Sequence, residues 1–278
     1  MWSHGGVGAA EYALKDVAVQ VGREAADLVS KARDAMVAGQ RVQVETKSSD
    51  TDVVTAVDHA SEELIRRRLG ELRPGEPVLG EEGGGGGGSA YDGVTWVVDP
   101  IDGTVNFLYG SPVFAVSIAA QVDGVSVAGA IVEPVGGRCW TAVRGEGSWL
   151  DGRRLRVSSP ERLGLTLVAT GFSYQAERRA RQAGVVHRLL GHVRDVRRPG
   201  SCALDLCSVA AGWTDGYCEH GLHRWDWAAG VLIATEAGAV VSLPGEDREL
   251  GADATFAAAP TIAAPLRETL IACGAGEV

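Results

Sequence analysis

The segment Trp96–Thr104, WVVDPIDGT, carries the most informative pattern in the chain. A run of strand-forming residues ends at Asp99, and Pro100 stiffens the turn that follows. Asp102 comes three residues after Asp99, so the two carboxylates can converge on one point just beyond a buried strand. Paired carboxylates in such a position are suitable ligands for a hard divalent cation.

The end of this segment, Gly103 and Thr104, favours an anion site beside those carboxylates. Glycine lets the backbone approach a ligand closely. The amides of both residues would open a short helix, and N–H groups at a helix start bind anions. Carboxylates for a cation next to amides for a phosphate predict metal-assisted phosphoryl chemistry.

The composition is that of a globular chain with an acidic excess. Its 278 residues are 45% hydrophobic, which suits one large domain or two closely packed lobes, and the formal net charge is −10. This charge argues against nucleic acid or an anionic membrane as partner, and an anionic substrate would need compensation from metal ions. Five cysteines without a CxxC pair predict a reduced, cytoplasmic protein. We expect neither a transmembrane segment nor a signal peptide.

Apolar residues recur with helical spacing in some stretches and alternate in others. Helices are predicted at 10–36, 58–72, 176–193, 201–213, 225–237 and 265–272. Strands are predicted at 78–82, 95–98, 114–122, 125–133, 138–143, 155–157, 165–170, 239–243 and 254–259. The mixture of antiparallel hairpins and helices predicts an α+β layered sandwich.

Two polar stretches are open to a functional and a structural interpretation. The run Gly83–Gly88 could cradle a phosphate, but a flexible surface loop is favoured because no helix follows it. Arg178, Arg179 and Arg181 could bind an anion, but a solvated helix face is favoured.

Six acidic residues stand out because each follows an apolar run or begins a predicted helix. They are Asp58, Glu82, Asp99, Asp102, Glu219 and Asp226. The last of them lies between two tryptophans in the stretch HRWDWAAG at 223–230. A buried carboxylate needs a partner there, and a cation shared with other carboxylates would provide one.

These motifs together resemble the inositol monophosphatase family of magnesium-dependent, lithium-sensitive phosphatases, particularly its bacterial (actinobacterial) inositol-1-monophosphatases. The signature DPIDGT is complete at 99–104, and the second signature, WD-x-A-[AG]-G, is matched at 225–230. Between and around them, GEE at 80–82, KSS…D…VTAVD at 47–58 and GSxALDLC at 200–207 keep the family's order.

The resemblance implies a specific architecture. We expect a layered αβαβα sandwich of the inositol monophosphatase/fructose-1,6-bisphosphatase type, formed by a single domain over residues 1–278. Its two closely packed lobes would cover roughly residues 1–150 and 151–278. The resemblance also implies a homodimer.

The resemblance further implies two or three bound Mg²⁺ ions. Glu82, Asp99 and the carbonyl of Ile101 would hold the first ion. Asp99, Asp102 and Asp226 would hold the second, and a third, weaker ion would lie near Glu82. Li⁺ would act as an inhibitor at the second site.

The remaining roles follow from the same resemblance. Thr104 and Asp58 would orient and deprotonate a metal-activated water, with Glu82 beside them in the catalytic group. The matched substrate positions are Asp102, Gly103, Thr104, Gly200, Ser201, Cys202, Glu219 and Asp226. Lys47 is a possible contact from a neighbouring loop.

The leading hypothesis is a Mg²⁺-dependent phosphomonoesterase that hydrolyses inositol 1-phosphate. Alternatives within the superfamily are a histidinol-phosphate, fructose-1,6-bisphosphate or 3′-phosphoadenosine phosphatase. A non-catalytic regulatory or binding protein that retains the fold is an alternative of another class. Bisphosphates are disfavoured because no Arg or Lys occurs among the matched contact positions.

Overall fold

Two β-sheets of unequal size organise the chain in the computed structural model, which describes residues 7–40, 42–47, 53–84 and 93–278. The larger sheet has seven strands in the order in which they occur along the chain. They are β3 (Val78–Gly80), β4 (Val94–Asp102), β5 (Ala115–Val122), β6 (Val125–Val132), β7 (Cys139–Val143), β8 (Gly147–Leu150) and β9 (Arg153–Arg154). Adjacent strands in this sheet are antiparallel, except for the parallel pair β3–β4.

The smaller sheet has five strands in a mixed arrangement. In spatial order they are β11 (Asp195–Arg197), β10 (Leu167–Thr170), β12 (Gly216–His220), β14 (Ala254–Ala258) and β13 (Val240–Ser242). The strand β10 is parallel to both its neighbours, whereas β14 is antiparallel to both of its own. A separate short hairpin joins β1 (Val44–Thr46) to β2 (Val53–Thr55).

Seven α-helices cover and separate the sheets in the described part of the chain. They are α1 (Val7–Val37), α2 (Ala56–Leu72), α3 (Thr104–Leu108), α4 (Ala176–Leu189), α5 (Cys202–Ala210), α6 (Arg224–Glu236) and α7 (Ala263–Ala272). No helix among the described residues is long and apolar enough to cross a membrane.

The large sheet is buried on both faces because successive side chains of a strand point to opposite sides. On β4, Trp96 and Val98 pack with α1 and α2, whereas Val97 packs with α5 and α6. The same division holds on β5, where Ile118 faces the outer helices and Ala119 faces the inner ones.

The small sheet is covered in the same way. Tyr217 of β12 and Ala257 of β14 contact α5, and the neighbouring Cys218 and Phe256 pack with α4 and α7. The layer order is therefore α1/α2, large sheet, α5/α6, small sheet, α4/α7. The predicted α+β, αβαβα sandwich is confirmed.

Several element boundaries differ from the sequence-based prediction. The strand β4 does not end at Asp99 but continues through an irregular register to Asp102, which pairs with Ala115. The strands β8, β11 and β12 were not predicted, and 155–157 is not a strand. Gly85–Gly88 of the glycine run and residues 48–52 of the KSS…D motif lie outside the described residues.

Candidate active site

A cavity of about 580 Å³ lies where the end of β4 meets the first residues of α3, α5 and α6. Asp99 and Asp102 come from β4, Ser201 and Cys202 from the start of α5, and Asp226 from the first turn of α6. Side chains from distant parts of the sequence therefore face one space. Most of the residues predicted for the site line this cavity or contact a residue that does.

Asp99 and Asp102 are almost completely buried, with 2% and 8% of their surface exposed. One carboxylate oxygen of Asp99 accepts the Ile101 N–H at 3.0 Å. Asp102 Oδ2 accepts the Ala203 N–H at 2.8 Å and the Ser201 hydroxyl. Burial, with repulsion from Glu219 and other acids, raises the pKa of Asp102 to about 7, although these hydrogen bonds oppose the shift.

Asp226 completes this group of carboxylates from the first turn of α6. Its Oδ2 atom accepts the N–H of His223, which fixes the side chain at the start of α6. Burial and then the charge of Asp102 raise the pKa of Asp226 well above its usual value. Asp99 is affected in the same way by burial and by the acids around it.

Such a cluster of carboxylates is unfavourable without a cation, because each one is desolvated and repelled by the others. The donors are all hard oxygens, the ligand type that Mg²⁺ prefers. Among the described residues, no three acidic, histidine or cysteine side chains already converge closely enough to enclose an ion. Asp102 and Asp226 each accept a hydrogen bond from a local backbone N–H, so their carboxylates are not turned toward one point. The types of donor nevertheless fit a divalent cation.

The two glutamates after β3 differ in their surroundings. Glu81 lines the cavity, and its charge raises the pKa of both Asp99 and Asp102. The side chain of Glu82 is only 6% exposed, and its Oε1 atom lies 2.6 Å from Nζ of Lys47. The structure therefore places Glu81, not the predicted Glu82, among the carboxylates that line the cavity.

Lys47 bridges the two glutamates from the end of β1. Its Nζ atom is 2.8 Å from Glu81 Oε1 and 2.6 Å from Glu82 Oε1. Burial lowers the pKa of Lys47, but the two carboxylates outweigh burial and raise it. Lys47, the residue predicted as a possible loop contact, thus contributes a positive charge to the lining of the cavity.

Asp58 and Thr104 are joined by a hydrogen bond although they are 46 residues apart. The Thr104 hydroxyl lies 2.9 Å from Asp58 Oδ1 and 3.0 Å from the Ile101 carbonyl oxygen. Asp58 is fully buried in the first turn of α2, where it forms a capping box with Thr55. Burial raises the pKa of Asp58, so this carboxylate is more basic than an exposed aspartate.

Gly103 lets the backbone pass close to a second loop. Its φ angle is +99°, and a Cβ atom there would lie 3.1 Å from the carbonyl oxygens of both Gly200 and Val113. Asn106 holds the same loop by donating from Nδ2 to the Pro199 carbonyl at 2.9 Å. The phosphate-binding candidates Gly103 and Thr104 are therefore fixed against the loop that precedes α5.

Glu219 lines the cavity from β12. Tyr217, which is fully buried, donates its hydroxyl to Glu219 Oε2 at 2.7 Å. A Cβ atom on Gly171 would lie 2.0 Å from the carboxylate carbon of Glu219, so the glycine provides the space for this side chain. Burial raises the pKa of Glu219 despite the bond from Tyr217.

Ser201 and Cys202 line the cavity from the start of α5. Ser201 is the N-cap of α5, and its hydroxyl oxygen accepts the Leu204 N–H at 3.3 Å. Cys202 is buried, and burial followed by the charges of Asp102 and Glu219 raises the pKa of its thiol well above its usual value. The thiol is therefore protonated and unreactive under ordinary conditions.

Sequence reasoning missed two arginines that line the cavity, Arg178 and Arg198. Arg178 was interpreted as part of a solvated face, but its Nη2 atom lies 2.7 Å from both carboxylate oxygens of Asp253. Arg198 lies in the loop between β11 and α5, two residues before Gly200. Arg178 lies in α4 and Arg198 in the loop before α5, and only the tertiary fold brings them to the cavity.

Comparison with known proteins agrees with this architecture. The Inositol monophosphatase family matches residues 12–273. The chain is 52% identical over 235 residues to an inositol-1-monophosphatase of Mycobacterium leprae, covering 82% of this chain and 81% of that protein. A relative from Escherichia coli K12 named Nus factor SuhB is 40% identical over 233 residues, covering 82% and 84%. The solved structure of Mycobacterium tuberculosis SuhB superposes with a TM-score of 0.79 and 41% identity, covering 96% and 98%.

The fold and the cavity define a phosphatase of the layered αβαβα class. The chain belongs to the inositol monophosphatase family.

Proposed function

We propose that this phosphatase is a Mg²⁺-dependent phosphomonoesterase that hydrolyses inositol 1-phosphate. The observation that carries the proposal is the shared cavity of Asp99, Asp102, Asp226 and Glu219. One side of it offers oxygen ligands for cations, and the other offers a hydrogen-bond acceptor for a polyol. The similarity to proteins named inositol-1-monophosphatase supports the same substrate.

The carboxylates and one carbonyl would hold the two or three ions. Asp99 would be a ligand of two ions. The Ile101 carbonyl and a glutamate of the pair Glu81/Glu82 would complete the first ion's ligands, and Asp102 and Asp226 would complete those of the second. When bound, Mg²⁺ ions supply positive charge that stabilises the attacking and leaving oxygens of the phosphate ester.

Thr104 and Asp58 would move the proton of the attacking water. The Thr104 hydroxyl already lies 2.9 Å from Asp58 Oδ1, and burial makes that carboxylate more basic. A water that donates to Thr104 Oγ1 could therefore pass its proton toward Asp58. Positioned proton transfer of this kind contributes about 10²–10⁴-fold to a rate.

Glu219 and Ser201 would hold the alcohol part of the substrate. Glu219 is fixed by Tyr217 and can accept hydrogen bonds from ring hydroxyls. Inositol 1-phosphate carries a ring with several hydroxyls, whereas histidinol phosphate carries an amine that could pair with the same carboxylate. The polyol is thus the favoured substrate, and histidinol phosphate is its nearest competitor.

A substrate panel tests this proposal. After removal of metals, we expect phosphate release from inositol 1-phosphate only when Mg²⁺ is added, with a higher kcat/KM than for histidinol phosphate or fructose 1,6-bisphosphate. The isosteric variant Asp99→Asn is the control, because it should fold but lose nearly all activity. A tenfold or greater preference for histidinol phosphate, or full turnover in Asp99→Asn, would contradict the proposal.

Inhibition by Li⁺ is a further expectation for the same site. Asp99, Asp102 and Asp226 present hard oxygen donors, and a small monovalent cation can bind such donors in place of Mg²⁺. Steady-state rates in LiCl should fall below those at equal concentrations of KCl, which controls for ionic strength. Superimposable curves in the two salts would show that the site does not bind Li⁺.

A further inference from the structure

The cavity contains a positive charge that the proposed reaction does not use, Arg198. This residue lines the same space as Asp102, Thr104 and Glu219. The other two cationic side chains at the described lining, Lys47 and Arg178, are each held in ion pairs. Within the described ranges, the Arg198 guanidinium has neither an ion pair nor a hydrogen bond.

This guanidinium lies close to the backbone of Gly200. A Cβ atom on Gly200 would lie 2.6 Å from Arg198 Nη1, so the side chain lies directly over the Gly200 backbone. That backbone is itself held by Asn106, which donates to the Pro199 carbonyl at 2.9 Å. Arg198 is therefore an exposed charge on an anchored loop beside the candidate substrate site.

Among the residues that the structure describes, the Arg198 guanidinium is unpaired although the cavity is rich in carboxylates, so it is available to bind an anionic ligand. Its charge acts on Glu219 and on the buried Asp205, but it lies beyond ion-pair distance of both. A guanidinium presents a planar set of donors that matches a phosphate or a carboxylate. Such an anion could bind near Glu219 only if a cation offset the repulsion from that carboxylate, and Arg198 can do so.

We propose that Arg198 forms a second anion subsite, through which the cavity also accepts, beside inositol 1-phosphate, phosphate monoesters whose alcohol carries another anionic group. The inference rests on the proposed phosphomonoesterase function, and it names a substrate class for the same cavity. It also removes the reason for which bisphosphates were disfavoured, because the missing cation lies outside the positions matched by sequence.

Two matched substrate pairs test the subsite and distinguish a phosphate from a carboxylate. Fructose 1,6-bisphosphate differs from fructose 1-phosphate by one phosphate, and 2-phosphoglycerate differs from glycerol 2-phosphate by one carboxylate. The quantity measured is the ratio of kcat/KM within each pair. In Arg198→Ala the ratio for at least one pair should fall about tenfold or more, since a bond between charged groups is lost.

Two further variants define the outcome. Arg198→Lys should recover part of the ratio because it keeps the charge. Arg197→Ala is the matched control, since Arg197 is exposed, pairs with Asp195 at 2.5 Å and does not line the cavity. It should leave both ratios unchanged.

The results separate the two proposals. An unchanged ratio in both pairs for Arg198→Ala would overturn the subsite. If kcat/KM itself falls equally for both members of each pair, Arg198 holds the transferred phosphate instead. Either result, together with Mg²⁺-dependent turnover of the two esters that lack a second anionic group, would leave the phosphomonoesterase intact. Absence of Mg²⁺-dependent turnover of these four compounds and of inositol 1-phosphate by the unmodified protein would overturn both.

Discussion

At the scale of single residues, the neighbours Glu81 and Glu82 show how position decides chemistry. Both contact Lys47, but Glu81 lines the cavity and raises the pKa of Asp99. The backbone N–H of Glu82 donates to the Glu62 carboxylate at 2.7 Å, which holds this residue against α2. Two identical side chains thus differ in their access to a cation.

We therefore predict different effects of the same substitution at these two positions. Glu81→Gln should raise the Mg²⁺ concentration needed for half-maximal activity by about tenfold or more, because it removes a charge from the cavity. Glu82→Gln is the matched control and should change it less. Mg²⁺ titrations of initial rate provide the measurement, and a larger effect at Glu82 would return that residue to the metal site.

Thr104 provides a second prediction at this scale. Thr104→Ala should lower kcat by about 10²–10⁴-fold, since it removes the hydroxyl that links the attacking water to Asp58. Mg²⁺ affinity, measured by calorimetry, should change little because the hydroxyl is not one of the proposed ligands. Loss of Mg²⁺ binding together with activity would show that Thr104 has a structural role.

At the scale of elements, the start of α5 links stability to the site. Ser201 caps this helix, and its hydroxyl also donates to Asp102. Ser201→Ala should lower the free energy of unfolding by about 0.5–2 kcal/mol. It should also lower activity, because the orientation of Asp102 would no longer be fixed.

Ser201→Thr is the control for this prediction, because threonine keeps the capping hydroxyl. Denaturant unfolding and steady-state rates should show a smaller loss in Ser201→Thr than in Ser201→Ala. Equal losses in the two variants would mean that the hydroxyl neither caps α5 nor orients Asp102.

The elements also show which features the sequence can predict. The helices α1, α2 and α6 have long apolar faces, so periodicity located them within a few residues. The strand β12 has the sequence GYCEH, and the pairing that makes it a strand comes from β10 and β14, far away in the chain. The position of Glu219 on a strand could therefore not be read from local pattern.

The candidate site also contains residues that local sequence predicts and residues that it does not. Asp99, Asp102 and Asp226 belong to dense local motifs, which is why the sequence pointed to them. The choice between Glu81 and Glu82 depends on the turn that follows β3, in which the backbone N–H of Glu82 is held by the Glu62 carboxylate. Arg198 reaches the cavity only through the loop held by Asn106, and no motif marks it.

At the scale of the whole molecule, the buried carboxylates connect stability to pH. Burial and repulsion raise the pKa of Asp102 from 3.8 to about 7, so the folded protein binds a proton that the unfolded chain releases. This contribution to stability is complete below about pH 4 and is lost as pH rises to about 7. Asp99 and Asp226 shift in the same direction.

Mg²⁺ should reverse this loss, because a bound cation stabilises the ionised carboxylates only in the folded state. We predict that the rise in Tm on adding Mg²⁺ is larger at about pH 8 than at about pH 5. Thermal unfolding with Mg²⁺ or with a chelator at each pH provides the measurement. Comparing the Mg²⁺-induced change at each pH cancels the contributions of groups that bind no metal.

Asp99→Asn is the control for this linkage. The variant lacks one of the repelling carboxylates, so without metal it should lose less stability between acid and neutral pH. It should also gain less from Mg²⁺ at about pH 8, because the shared ligand has lost its charge. An equal Mg²⁺-induced rise at both pH values in the unmodified protein would mean that the cation binds away from these carboxylates.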